Sequence, residues 1–297
     1  MATIINGKAI AAKVREEVRL RVEEVKKRGV VPCLAVVLAG EDPASVSYIR
    51  GKRKALAEAG MESRDIRLPA TVSEGELLAL VASLNVDEKI HGILVQLPLP
   101  SHIREESVIE AIDPRKDVDC FHPVSLGKLL RGQSVFLPCT PQGIVVLLET
   151  MKIPIAGRHA VVVGRSNIVG KPLAMLLASR ELNATVTICH TGTENLPSYT
   201  RQADILIAAA GKPGLITGDM IKDGAAVIDV GVTEKVTASF SRRLVGDVVF
   251  DEAMEKAGWI TPVPGGVGPM TIAMLMQNVV LAAENQGMLP EKVCPPR

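Results

Sequence analysis

Rings are scarce in this sequence: one Trp, two Tyr and four Phe make up 2% of its 297 residues. A chain so short of aromatic faces has little with which to stack nucleobases, which argues against a reader of nucleic acid. Net charge is nearly absent as well. With 34 Lys and Arg against 33 Asp and Glu the sum is +1, so bulk electrostatics recommends neither nucleic acid nor an anionic membrane as a partner. Five cysteines (33, 120, 139, 189 and 294) form no CxxC pair, and an odd count does not close into a disulfide framework. They read as reduced thiols of a cytoplasmic protein. No His or Cys spacing matches a zinc pattern, and no metal is expected. Charges interrupt the N-terminal apolar residues at helical spacing, unlike a signal peptide. No apolar stretch approaches the length of a membrane span.

Aliphatic residues fill the space that rings leave. Hydrophobic residues are 47% and charged residues 23%, the balance of a globular protein with room for one large domain or two lobes. Two regions alternate strand-like apolar runs with amphipathic segments, the pattern of a parallel α/β sheet. The first predicts a helix near 9–27, a strand at 33–39, and a helix at about 45–59, capped by Asp42 or Ser45 and stopped by Gly60. Strands follow near 65–68 and 92–96, the latter running into the rigid LPLPSH. The stretch 114–141, rich in Pro, Gly and charges, reads as a wrap between lobes. The second region predicts a helix at 141–150, strands at 160–163, 185–189, 205–208 and 226–230, and a last helix at 270–285 after PVPGGVGP.

Two places carry chemistry. The strand HAVVVG runs into RSNIVGKPLAMLLASR, a strand–turn–helix with glycines at Gly164 and Gly170 but Ser166 where the dinucleotide fingerprint has its middle glycine. The helix start offers unpaired N–H groups and a positive dipole end to a pyrophosphate. A glycine-punctuated turn with no ligand writes the same pattern. The next strand ends Cys189-His190-Thr191 with no carboxylate for a ribose diol, and Arg165 sits where a guanidinium pairs with a 2′-phosphate. Both features favour NADP over NAD, although Arg165 is equally a solvated loop residue.

The other place is the helix after GEDPAS. Tyr48 and Lys52 stand one turn apart on one face, beside the apolar Ile49 and Leu56. A lysine at that border is partly desolvated, and Arg50, Arg53 and Lys54 push the same way, toward the range useful for proton transfer. The plain alternative is a solvated surface charge. Gln96 and Asp119 fall just past strand ends, where α/β sheets place ligands; a strand cap and a helix cap or surface ion pair are the other readings.

Taken in order, YIRGKRKA, GILVQLPLP, KDVDCFHP, PCTPQG, VVVGRSNIVGKP, VIDVGV and TPVPGGVGPMTIAMLMQN span essentially the whole chain. Together they resemble the bifunctional methylenetetrahydrofolate dehydrogenase/cyclohydrolases. The resemblance implies an α/β fold of two lobes with a cleft between them: an N-terminal folate-binding lobe (1–140) and a Rossmann-like NADP-binding lobe (141–269), with the C-terminal helix (about 270–297) packed back on the first. It implies oxidation of 5,10-methylenetetrahydrofolate with NADP and hydrolysis of the product, without an appended synthetase domain. Lys52 becomes the catalytic lysine, Gln96 the partner that sets its protonation, and Tyr48 a support for both lysine and folate ring. Asp119 takes the pterin, while Cys139, with Thr140 and Pro141, lines the cleft and Pro264, Gly265 and Gly266 close it. Gly164, Arg165, Ser166, Ile168, Val169, Thr191 and Val232 hold NADP. A homodimer joined through the NADP lobe is implied, while a polyglutamate tail on the folate is left open. The cluster Arg50, Arg53 and Lys54 either attracts that tail or is a plain solvated face.

Two positions depart from the family pattern. Cys120 stands where the family has glycine, and Gly192 where it has a basic residue near the 2′-phosphate. The alternatives are a dehydrogenase with weak cyclohydrolase activity or NAD preference, and a catalytically silent dinucleotide-binding regulator. The last would have a degraded lysine site, whereas Lys52 and Gln96 both stand.

Overall fold

A computed structural model describes residues 1–41, 43–236 and 242–286, without the side chains of 43–47, 235, 236 and 242. The expected cap Asp42 and the end of the last expected helix, 287–297, lie outside the described residues, whereas Ser45, the other expected cap, falls inside a helix that already starts at Pro43. The chain opens with β1 (Thr3–Ile4), α1 (Gly7–Lys27), β2 (Cys33–Ala39), α2 (Pro43–Glu58), β3 (Glu62–Leu68), α3 (Glu74–Val86) and β4 (Gly92–Val95). Helices α4 (Glu105–Ala111), α5 (Pro123–Leu130) and α6 (Cys139–Thr150) lead to β5 (His159–Val163), α7 (Gly170–Leu177), β6 (Thr185–Cys189), α8 (Leu196–Thr200), β7 (Ile205–Ala208) and β8 (Ala226–Asp229). A hairpin, β9 (Thr233–Val236) with β10 (Arg242–Val245), precedes α9 (Phe250–Lys256), β11 (Trp259–Ile260) and α10 (Val267–Gln286).

Two compact units share the chain. One comprises Arg15–Pro123 with the residues from Leu275 on; the other comprises Met1–Val14 with Val124–Met274. The family resemblance implies divisions at 140 and 269 instead. The difference has a cause at each end: β1 pairs in parallel with β11, which ties the first residues to the second unit, and α10 changes unit within its own length. Beyond Leu275 that helix belongs to the first unit. Asn278 Nδ2 donates to the Val118 carbonyl at 2.8 Å, and Arg21 meets Glu284 at 2.6 Å.

The first unit holds the parallel sheet β3-β2-β4. Strand β2 is buried at all seven positions, the continuous apolar run of a strand covered on both faces. Helix α3 starts in a capping box: Ser73 Oγ accepts from the Glu76 N–H at 3.2 Å while Glu76 Oε2 accepts from the Ser73 N–H at 2.9 Å. Its Leu77, Val81 and Leu84 then pack against the sheet with Val37, Ile93 and Val95.

The second unit is built on a six-stranded sheet, β1-β11-β8-β7-β5-β6, parallel throughout. Every strand therefore ends on one edge, which gathers the turns after β5, β6, β7 and β8 where doubly wound sheets receive ligands.

Helix α10 corrects one expectation. It is 20 residues long and, by length and composition, apolar enough to cross a membrane, yet 61% of that window is buried within the protein. Met270, Ala273, Met274 and Val279 are fully enclosed, so its apolarity is that of a core helix. The stretch 114–141 also departs from the reading as a plain wrap, since it contains α5.

Candidate active site

In α2, Ile49 and Leu56 turn into the core of the first unit, and Lys52 between them is only 6% exposed. Its Nζ donates to Gln96 Oε1 at 3.1 Å and lies 5.3 Å from the centroid of the Tyr48 ring, within cation–π reach. Tyr48 itself is 41% exposed. Gln96 follows β4 directly; its N–H donates to the Val37 carbonyl at 2.8 Å, and its Nε2 donates to the Leu97 carbonyl at 2.8 Å. A carbonyl only accepts, so this second bond settles which way the amide faces, and Oε1 must face the lysine. A neutral acceptor tolerates either ammonium or amine, where a carboxylate would hold the proton in place.

Asp119 reaches the same edge by a different route. The segment before it forms a parallel bridge with β4, Asp117 opposite Ile93, so Asp119 is carried toward the carboxyl end of that strand. Sequence reasoning missed Asp117, which is 2% exposed and organises the loop: Oδ1 accepts from the Phe121 N–H at 3.1 Å and Oδ2 from the His122 N–H at 3.0 Å. An acid shortly before a helix is the available signal. Cys120 lies at φ 60°, in the left-handed region, and is fully buried. A side chain there costs about 1–2 kcal/mol of backbone strain, which accounts for glycine in the family pattern. Burial, helped by the charges of Asp117 and Asp119, pushes the Cys120 thiol well upward, so it is not a ready nucleophile.

In the second unit, the turn after β5 is held from within. Ser166 Oγ accepts from the N–H groups of Val169 and Gly170, at 3.1 and 3.3 Å, and α7 begins at Gly170. Gly164 has φ 136°, and a Cβ there would collide with the carbonyl of Ala209. Arg165, Ser166 and Ile168 are exposed above this turn, and Val169 is half-buried. On the neighbouring strand, Gly164 N–H donates to the Cys189 carbonyl at 2.8 Å, which brings the exposed Thr191 to the adjoining position. Gly192 donates its N–H to His190 Nδ1 at 3.1 Å, closing a tight turn with no cation in it. Val232, 56% exposed, stands past the end of β8.

The remaining expected residues lie in this same unit. Cys139 opens α6 and is 2% exposed, and Thr140 Oγ1 bonds Thr271 Oγ1 at 2.9 Å. Pro264, Gly265 and Gly266 form the turn before α10; the Gly265 carbonyl accepts from Lys8 N–H at 2.9 Å, and the Gly266 carbonyl lies so close to Gly7 that a Cβ there would strike it. Lys52, Gln96, Tyr48 and Asp119 thus stand in one unit, and Cys139 and the cofactor turns in the other.

A parallel sheet with a glycine-cleared turn at its carboxyl edge is the working part of the dinucleotide-binding α/β enzymes. The chain belongs, more narrowly, to the tetrahydrofolate dehydrogenase/cyclohydrolase family: residues 5–119 match its catalytic domain and residues 138–287 its NAD(P)-binding domain. It is 60% identical over 282 residues to the bifunctional protein FolD of Moorella thermoacetica, covering 95% of this chain and 99% of that one. Its fold matches the bifunctional methylenetetrahydrofolate dehydrogenase/cyclohydrolase of Campylobacter jejuni with TM-score 0.91 and 47% identity, over 96% of this chain and 99% of that one. The Trypanosoma brucei enzyme, solved with NADP and an inhibitor, gives TM-score 0.93 and 40% identity, over 97% and 99%.

Proposed function

We propose that this chain carries both family activities on one folate: oxidation of 5,10-methylenetetrahydrofolate with NADP, then hydrolysis of the methenyl cation to 10-formyltetrahydrofolate, with Lys52 moving the protons of the second step. The contact that carries this reading is Lys52 Nζ on Gln96 Oε1 at 3.1 Å. Water adding to the methenyl carbon must lose a proton, and the ring nitrogen that departs must gain one. A buried amine faced by a neutral amide can do both, because Gln96 accepts from either protonation state. Asp119 is the carboxylate for the pterin N–H donors, and the Tyr48 ring, open to solvent beside Lys52, is the surface for the folate ring.

NADP supplies the hydride acceptor for the first step. The turn Gly164–Val169, with Thr191 and Val232, would hold it: the exposed residues there stand on one sheet edge, and glycine at 164 clears the backbone. Arg165 is the cation for the 2′-phosphate, and the absence of a second at Gly192 is the observation that favours measurable use of NAD.

The same reading makes the chain a cytoplasmic homodimer joined through its NADP-binding unit, in keeping with the four buried cysteines among the described residues, none of them in a disulfide. Arg50, Arg53 and Lys54 line a groove with Arg67. They lie off the Lys52 face of α2, so a polyglutamate tail would meet them only after rounding the helix.

The test supplies 5,10-methylenetetrahydrofolate, with one or several glutamates, and NADP or NAD to wild type and Lys52→Met. Nicotinamide reduction in both proteins, with 10-formyl product only in wild type, is expected. Hydrolysis surviving in the variant would remove Lys52 from the mechanism, and no reduction by folded wild type would remove the dehydrogenase. A KM indifferent to tail length would make the basic groove a solvated face, and sedimentation as a monomer would dismiss the dimer.

A further inference from the structure

Two buried aspartates stand at the cofactor edge of the second unit without any part in the chemistry above. Asp229, 4% exposed, is the last residue of β8; Asp247, fully buried, follows β10. They are arranged reciprocally. A Cβ on Gly246 would strike the Asp229 carboxylate, and a Cβ on Gly231 would strike that of Asp247. The glycine beside each acid therefore makes room for the other acid, which accounts for the paired Asp-Val-Gly and Gly-Asp in the sequence.

Each carboxylate binds backbone, and the backbone it binds belongs to the cofactor edge. Asp229 Oδ1 accepts from the N–H groups of Gly231 and Asp247, at 3.0 and 2.9 Å, and Oδ2 from Val248 N–H at 3.0 Å. Asp247 Oδ2 accepts from Ala210 and Gly211, at 2.7 and 2.8 Å. Gly231 precedes the exposed Val232. Ala209, one residue before Ala210, is the residue whose carbonyl lies against Gly164, and its N–H donates to the Val163 carbonyl at 2.8 Å. One acid thus fixes the turn after β8 and the other the turn after β7 on which the Gly164 turn rests. Asp247 Oδ1 is buried with no hydrogen-bond partner. Burial pushes both carboxyls upward, Asp229 to about 6 with the Asp247 charge contributing. A structure that tolerates two such acids side by side gains five backbone anchors from them.

We propose that Asp229 and Asp247 are positioning residues for the dinucleotide, holding the turns after β7 and β8 in the arrangement that receives it. The proposal rests on the reading of this edge as the NADP site.

Asp247→Ala removes both anchors on Ala210 and Gly211. Asp247→Asn keeps an oxygen for them and places its amide nitrogen where Oδ1 has no partner. In Asp247→Ala the Kd and KM for NADP rise about tenfold or more, the amides of Ala210 and Gly211 lose protection from hydrogen exchange, and cyclohydrolase activity, which uses no NADP, stays within about twofold. In Asp247→Asn the NADP affinity returns to within about threefold of wild type. NADP affinity unchanged in Asp247→Ala overturns the proposal, and so does a parallel loss of cyclohydrolase, which would mark the pair as holding the fold alone. Should the alanine variant not fold, Asp247→Asn with weakened NADP binding and intact amide protection also overturns it. Wild type that binds no NADP would instead refute the reading of the edge.

Discussion

Replacing Gln96 with Glu tests whether a neutral acceptor beside Lys52 matters for more than shape. The new carboxylate would stand about where Oε1 now lies, 3.1 Å from Nζ. At an effective dielectric of about 20, opposite charges at that distance attract by roughly 5 kcal/mol. Desolvating the carboxylate offsets part of it, and a carboxylate beside a cation commonly shifts the titration by about 1–3 units. The amine form at neutral pH then becomes about 10- to 1000-fold rarer. Hydrolysis of the methenyl folate, followed by its absorbance, should slow by that factor, and the rising limb of its pH profile should move alkaline by the same 1–3 units. Hydride transfer exchanges no proton with Lys52, so nicotinamide reduction should change by less than about threefold. Gln96→Ala is the control. It also loses the bond to the Leu97 carbonyl, but should slow hydrolysis without moving the limb alkaline. A limb that stays in place in Gln96→Glu, or two activities that fall together, would refute the reasoning.

Gly164→Ala should destabilise the protein by about 2–4 kcal/mol, since its Cβ meets the Ala209 backbone and its φ of 136° lies where side chains are strained. In the protein that folds, KM for NADP should rise at least about tenfold while cyclohydrolase persists; NADP binding at wild-type strength would contradict the placement of the cofactor turn. The pH dependence of stability offers another check. Asp229 is raised to about 6 chiefly by burial, so the stability linked to its protonation is complete below the ordinary carboxylate range and is lost as pH rises through about 6. That loss amounts to about 3 kcal/mol. Its carboxyl faces Asp247 and the backbone N–H groups of Gly231, Asp247 and Val248, so Asp247→Asn should flatten the decline in Tm between pH 4.5 and 8. Parallel curves for the two proteins would show that the acids do not feel one another.

What could be read from the residues followed from spacing. Tyr48 and Lys52 share a face because they are one turn apart, and an apolar run such as β2 announces itself by continuity. Elements of two residues announce nothing: β1 and β11 have no length over which a period can be seen, and only their pairing makes them strands. Helix α5 was hidden because Pro123 and Gly127 belong equally to loops. Asp119 and Asp117 are two apart in KDVDCFHP, and only the bridge to Ile93 decides which of them is enclosed. The Asp229–Asp247 pair joins residues 18 apart, with no local pattern to connect them. Polar groups buried by distant backbone are the class that periodicity cannot find.

The pairing of β1 with β11 has a consequence for the order of assembly. Ile4 is made 256 residues before its partner, Ile260. The Val118 carbonyl likewise waits for Asn278, 160 positions later. A nascent chain released residue by residue can form β2, β3 and β4 early, because those strands are near one another in sequence, but it cannot complete either unit until α10 has been made. Until residues 259–286 are made, the polypeptide carries an unfilled sheet edge and an uncovered core face, and that one stretch closes both at nearly the same moment.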